Sequence, residues 1–476
     1  MRRVVHVRNL PLPCLRGAGG LARNGKRRGR HAGIHCRRDA RDQPPDLSDR
    51  GDNRNRRHGL QGHGALIMPG TVIIGAGHGG VQLAASLRET GYEGRVRLIS
   101  ADPDLPYHKP PLSKSFMKTP DAPLQPLRGE AFFDQNDIAL DLGREVVRVE
   151  RERKRLICSD GSALDYDKLV LATGTRARKL TVPGAELDGV HSLRTAEDAR
   201  ALRADLPGAR RVVVIGGGFI GLEAAAMLAA RGLSVSVVEL APRLLGRAVS
   251  SITAQTIASY LEGEGVSLHL DTAIEAIDGQ NGRVTDVRLS DEVLAADLVL
   301  VGVGAEPMDE LARDAGLVVE NGIVVDEFLA TSAPDIFAIG DCVSFPQVHL
   351  GCHTRLESVQ NATDQARSLA QTLTGTPQPY AALPWFWSDI GAVKLQIAGL
   401  AREGGETLAT RSDDGQVKSV YHLAGGQLVA CETLNSAGEH MLSRRMIAEG
   451  ITPARTVLET GDTAEIKKAY AAVKNF

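Results

Sequence analysis

The sequence predicts an α/β fold that carries one strand–turn–helix unit twice, and three observations lead there. First, "VIIGAGHGGVQLAASL" (Val72–Leu87) recurs 141 positions later inside "RVVVIGGGFIGLEAAAML" (Arg211–Leu228). Eight of sixteen residues coincide, among them every glycine of a G-x-G-x-x-G turn. Second, a β-branched run enters each turn and an Ala/Leu-rich helical pattern leaves it. Third, the chain holds 51 glycines but only 4% aromatics, a balance that suits many tight strand-to-helix turns. At 476 residues the chain is long enough for roughly two to four domains.

In each copy the three glycines have separate tasks. Gly75 and Gly216 permit the tight turn, and Gly77 and Gly218 let a pyrophosphate approach the backbone. Gly80 and Gly221 let helix and strand pack closely, while the helix N-terminus offers its dipole to the phosphate. A lone turn of this kind is weak evidence, but each copy also has the second half of the signature. "RVRLISAD" ends at Asp102, 22 residues past Gly80, and "LSVSVVE" ends at Glu239, 18 residues past Gly221. An acid at that place accepts hydrogen bonds from a ribose 2′-hydroxyl. Two complete signatures predict two Rossmann-like folds and two dinucleotides.

The formal charge of −2 hides two unlike pieces. Residues 1–67 hold 15 Arg and one Lys against five Asp, a charge of +11, which leaves −13 for the rest. The first piece lacks apolar periodicity, and stretches such as "RNGKRRGR" read as disorder. A nucleic-acid arm would be expected to interleave aromatics, and this stretch has none; five Asp and many Gly argue against a targeting peptide. The expectation is a disordered basic extension without function, upstream of a natural start at Met68. No apolar run reaches 18 residues, so neither a membrane span nor a membrane partner is expected. The six cysteines show neither C-x-x-C nor C-x₄-C spacing, so no sequence-local redox disulfide or zinc pair is expected. A reducing cytoplasm is the simplest setting.

"LVLATGTRAR" (Leu169–Arg178) and "TSAPDIFAIGDC" (Thr331–Cys342) are apolar strands that stop at glycine. Together with the two turns, in this order, they resemble the flavoprotein superfamily of pyridine nucleotide-disulphide oxidoreductases. "LPYHKPPLSKSFM" (Leu105–Met117), "RLESVQNATDQA" (Arg355–Ala366) and "PWFWSD" (Pro384–Asp389) narrow the resemblance to its FAD-dependent NADH:ferredoxin reductases, the putidaredoxin/rhodocoxin reductase-like group. The resemblance covers essentially all of 70–476. It implies an FAD-binding domain over 68–185 and 305–380, interrupted by an NAD-binding domain over 186–304, and a C-terminal α+β domain over 381–476. It also implies a [2Fe–2S] ferredoxin as acceptor, serving a P450 or ring-hydroxylating dioxygenase, and a monomer or weak dimer. The lack of a spaced cysteine pair agrees, because this group passes electrons straight from flavin to the iron–sulfur protein. A rubredoxin or small-molecule acceptor is the alternative enzyme. From another class, an NADH-responsive signalling flavoprotein like apoptosis-inducing factor is kept open.

The resemblance also assigns residues. Lys114 is implied beside flavin N5, paired with Glu223, where Gln82 stands in the first copy. Phe219 is implied to cover the flavin and move aside for nicotinamide. Gly79, Lys114, Val146, Arg194, Asp341, Val359 and Trp387 match positions that contact FAD. Val146 and Val359 are equally readable as plain core, and Asp104 competes with Asp102 for the ribose. No metal site is expected. Glu239 is expected to favour NADH, with Arg243 and Arg247 close enough to soften the preference. Arg367 and Lys394 are candidate docking cations on an otherwise acidic body. Three departures from the group stand out: His78 in the first turn, expected to lie beside the pyrophosphate and to be a surface bystander rather than a catalyst; Glu306 in "GVGAEP"; and "IGAVK" after "PWFWSD".

Overall fold

In the computed structural model, residues 70–402 and 404–474 are described. The basic stretch 1–67 and its expected disorder lie outside the described residues.

Each glycine turn follows the central strand of a five-stranded parallel sheet. The first sheet has the order Ile336–Ala338, Lys168–Leu171, Thr71–Ile74, Val96–Ile99, Ile138–Asp141. The second has the order Ser267–His269, Ser234–Val238, Arg211–Ile215, Leu298–Val301, Val190–Ser192. Thr71–Ile74 and Leu298–Val301 are buried at every position. Such uninterrupted apolar runs are what a parallel strand covered on both faces requires. The helices after the turns, His78–Glu89 and Phe219–Ala230, supply that cover; Leu83, Leu87, Leu222 and Leu228 are completely buried. Each is worth roughly 1.5–3 kcal/mol of apolar burial.

The second sheet interrupts the first. After Lys168–Leu171 the chain crosses over, builds the second sheet, and returns as Ile336–Ala338 to pair with the strand it left, Phe337 opposite Val170. The two crossings pair as an antiparallel ribbon, Thr175–Ala177 against Ala305–Pro307. Glu306, unusual for the group, lies in this ribbon 3.6 Å from Arg176 and 3.7 Å from Arg178. These pairs are half exposed and worth at most about 1 kcal/mol each, so they favour register more than stability.

Residues 385–434 form a five-stranded antiparallel sheet in the order Trp385–Ile390, Val393–Gly399, Gln427–Leu434, Val417–Ala424, Glu406–Arg411. The helix Ala437–Ala448 packs on it. Its first hairpin turns at Gly391–Ala392. There Tyr260, on the helix Ser251–Gly263 of the second unit, accepts a hydrogen bond from the Ala392 N–H at 2.9 Å. Gly391 has φ +59°, and a Cβ there would run into the Tyr260 hydroxyl. The unusual "IGAVK" stretch is therefore a contact between the C-terminal sheet and the second unit.

Candidate active site

The glycines of the two turns behave alike. Gly75 and Gly216 have φ of +107° and +105°, which side chains rarely tolerate. A Cβ on Gly80 would run into the Gly75 carbonyl, and one on Gly221 into the Gly216 carbonyl. Here the close approach of helix to turn demands glycine. Gly77 and Gly218 differ. Their backbones are ordinary, with φ of −77° and −85°. A Cβ on Gly77 would meet nothing within 4 Å, and one on Gly218 only the Gly302 oxygen at 3.9 Å. The protein does not forbid a side chain at these two positions. The open space they leave lies at a helix N-terminus, where a phosphate fits.

A cavity of about 1360 Å³ begins at the first turn. Gly75, Gly77, Gly79, Asp102, Lys114, Val146, Arg194, Asp341, Val359 and Trp387 all line it, and so do Phe219 and Glu223 from the second unit. Gly80 lies beneath, against the turn. Gly216, Gly218, Gly221 and Glu239 form their own turn at the second sheet.

Several side chains meet from distant places in the sequence. Arg194 donates to Asp341 at 2.9 Å and to the Thr175 carbonyl at 3.1 Å, and both charges are largely buried. Asp104 is held by both terminal nitrogens of Arg200, at 2.8 and 2.7 Å. Asp102 accepts from the Tyr107 hydroxyl at 2.8 Å and from the Asp104 N–H at 3.0 Å. Of the two acids, Asp102 is the one without a cation. Burial pushes the Tyr107 hydroxyl's pKa up, and Asp102 raises it further, so it stays protonated to donate.

Lys114 Nζ lies 2.7 Å from Glu223 Oε2. The same oxygen accepts from Ser113 Oγ at 2.6 Å, and Oε1 accepts from Ser388 Oγ at 2.7 Å. Glu223 is 7% exposed and Lys114 22%. Above the pair, the ring of Phe219 rests on Phe386, with centroids 4.4 Å apart. Trp387 stacks on Trp385 at 5.4 Å, and the Arg444 guanidinium lies 4.4 Å from the Trp385 ring centre.

Sequence reasoning missed Ser113, Ser388, Phe386, Tyr107 and Lys109. Lys109 lines the cavity and has no hydrogen-bond or ion-pair partner among the described residues. Burial, with Arg194 nearby, pushes its pKa down to about 8. His78 is no surface bystander: as the first residue of its helix it lines the cavity, 5.4 Å from the His108 ring. Burial first, then His108, Lys109 and Arg194, hold its pKa down at about 4, and its Nε2 is buried without a partner. The Lys109 ammonium and the unpartnered His78 Nε2, beside an open glycine turn, are polar groups suited to a diphosphate.

At the second turn, Glu239 accepts from the Gly217 N–H at 2.6 Å and the Ala241 N–H at 2.8 Å. Arg243 donates instead to the carbonyls of Val249 and Gly246, at 2.8 and 2.6 Å, which ties it to its own loop.

Comparison with known proteins agrees with this geometry. Residues 70–366 match the family described as pyridine nucleotide-disulphide oxidoreductase, and residues 385–469 match the reductase C-terminal domain. Rhodocoxin reductase of Rhodococcus erythropolis is 44% identical over 379 residues, covering 79% of this chain and 89% of that protein. Rubredoxin-NAD(+) reductase of Pseudomonas putida is 41% identical over 366 residues, covering 76% and 95%. The crystal structure of the ferredoxin reductase for the CYP199A2 system from Rhodopseudomonas palustris superposes with a TM-score of 0.81 at 42% identity. It covers 84% of this chain and 99% of that one. No described helix is long and apolar enough to cross a membrane.

Proposed function

This chain belongs to the pyridine nucleotide-disulphide oxidoreductase family, and from that premise we propose that it carries electrons from NADH through FAD to a [2Fe–2S] ferredoxin serving a P450 or ring-hydroxylating dioxygenase. The observation that carries the reading is that the first open glycine cradle lines a cavity holding the Lys114–Glu223 pair, and that Phe219 and Glu223 reach this cavity from the helix that follows the second cradle. Among the described residues no cysteine lines that cavity. The proposed setting is the cytoplasm, and the proposed state a monomer or weak dimer.

FAD, when bound, supplies the chemistry of accepting hydride and releasing electrons singly. The protein's part is binding, orientation and electrostatics. Gly75, Gly77 and Gly79 with Lys109 would hold the diphosphate, on the turn that Gly80 lets the helix approach. Asp102 would take the ribose, and Asp341, Arg194, Val146 and Val359 would line the remainder. Lys114 holds positive charge where hydride arrives, and Glu223 holds Lys114 in place. Phe219, at the first position of its helix, would cover the flavin and move aside for nicotinamide, and Trp387 would line the same cavity. Gly216, Gly218 and Gly221 with Glu239 would hold NADH.

Glu239 offers acceptor oxygens to a ribose 2′-hydroxyl and repels a 2′-phosphate, and Arg243 is already engaged. NADH is therefore expected to give at least about tenfold higher kcat/KM than NADPH, about 1.4 kcal/mol. Glu239→Arg should narrow or reverse the ratio; equal kcat/KM for both coenzymes in the unmodified enzyme would show that this acid does not select. Gly218→Ala should raise KM for NADH at least tenfold while FAD content and Tm stay unchanged. A fall in Tm instead would make Gly218 structural.

Arg367 is exposed on the helix Val359–Leu373, whose first residue lines the cavity, and it pairs with Asp364 at 2.8 Å. With −13 on the body, an acidic ferredoxin needs a local basic patch to associate productively. Arg367→Glu should slow ferredoxin reduction about tenfold at low salt and spare NADH-to-ferricyanide turnover. If both fall together, Arg367 supports the fold or flavin instead. Lys394, whose N–H is held by Asn435 at 2.8 Å, is the second candidate. The Pseudomonas relative favours one other acceptor, rubredoxin. Turnover with a [2Fe–2S] ferredoxin and with rubredoxin, measured side by side, decides between them; a higher kcat/KM for rubredoxin would overturn the proposal.

A further inference from the structure

We infer that Ser388 is a positioning residue for the reaction: reaching in from the C-terminal sheet, it fixes the Glu223 carboxylate and through it Lys114. The inference rests on the electron-transfer reading above. A strand alternates its side chains, so Phe386 and Ser388 share one face of Trp385–Ile390 while Trp385 and Trp387 share the other. On the facing helix Phe219 and Glu223 are four residues apart and share a face. The two faces meet in register: Phe386 packs on Phe219, and Ser388 donates to Glu223.

The division of bonds gives Ser388 its task. Ser113 and Lys114 both bond Oε2, and both come from the same short segment. Among the described residues Ser388 alone bonds Oε1, the other oxygen of the carboxylate. A carboxylate's terminal torsion is broad and roughly two-fold, so two donors on one oxygen leave its plane free to swing. The third donor on the second oxygen stops that swing. Ser388 is completely buried, and its hydroxyl has no other hydrogen-bond partner among the described residues. Its strand is anchored close by, where the hairpin turn meets Tyr260. A displacement of the C-terminal sheet against the second unit thus reaches the Lys114–Glu223 pair through one hydroxyl.

The test compares holoenzyme variants Ser388→Ala and Ser388→Cys. The thiol is somewhat larger than the hydroxyl and donates weakly. Ser388→Ala should slow NADH-driven flavin reduction about tenfold at saturating NADH, with the Kd for NADH within twofold of wild type. The flavin midpoint potential, read by dye equilibration, should move negative as Lys114 loses its fixed position. Ser388→Cys should fall between alanine and wild type in both readouts. A rate and a potential like wild type in both variants would overturn the inference. So would a loss of Tm and FAD without a shift in potential. If Ser388→Ala does not fold, Ser388→Cys decides alone. If NADH does not reduce even the wild type, the electron-transfer reading fails, and the potential still decides the role of Ser388.

Discussion

Replacing Gly77 by alanine should leave a folded protein that no longer retains FAD. The backbone at 77 is in a region open to any residue, and the added methyl would meet no protein atom within 4 Å. The substitution therefore adds no strain to the apoprotein, and Tm without cofactor should stay within about two degrees. A bound diphosphate, however, must lie against that backbone, and the methyl would take its place. A rise in the Kd for FAD of at least about 100-fold is expected, about 2.7 kcal/mol. Gly80→Ala is the contrasting control. Its Cβ would run into the Gly75 carbonyl, a backbone atom that cannot move aside without shifting helix or strand. That variant should lose about 2 kcal/mol or more of stability whether or not FAD is present. Equal effects of the two alanines on the apoprotein would remove the basis for placing a phosphate at Gly77.

The second large effect is expected at Glu223. Glu223→Gln keeps the shape of the side chain but removes the charge that faces Lys114 at 2.7 Å. Of Ser113 and Ser388, one keeps an acceptor oxygen while the other faces the amide NH2, which cannot accept, and a mostly buried ammonium is left without its counterion. Breaking one side of such a pair costs far more than its net worth, because the remaining charge stays desolvated. NADH-driven flavin reduction should fall about 100-fold, about 2.7 kcal/mol of barrier. FAD content should remain near wild type, since Glu223 reaches the cavity from the second unit and not from the first glycine turn. A loss of flavin in proportion to activity would make the pair structural.

What the sequence made legible was local. Both turns announce themselves within about thirty residues, because glycine spacing, β-branched strand and terminal acid are all read along one stretch of chain. Arg194 and Asp341 are 147 positions apart, yet each stands in a motif distinctive enough to be assigned, and the fold brings them to 2.9 Å. The donors around Glu223 were not legible in the same way. Ser388 is 165 positions away, and nothing in "PWFWSD" says that the face carrying Phe386 and Ser388 will meet the face carrying Phe219 and Glu223. Strand alternation and helical spacing predict each face separately; only the docking of the C-terminal sheet matches them. Lys109 was overlooked because "KPPLSK" drew attention to its last residue, while the first, left without a partner, lines the same cavity. The place of His78 at the phosphate turn was legible, but its burial was not: a helix's first residue is usually exposed, whereas here His108 and Lys109 lie close to it.

The central claim is that electrons enter as a pair from NADH and leave one at a time to a [2Fe–2S] protein. Anaerobic stopped-flow absorbance tests it most directly, with FAD-loaded enzyme mixed first with one equivalent of NADH and then with oxidised [2Fe–2S] ferredoxin. The expected result is loss of flavin absorbance in the first mix, followed in the second by reoxidation that reduces two ferredoxins per enzyme. A reduced flavin that persists through the second mix, or that only ferricyanide reoxidises, would contradict the account.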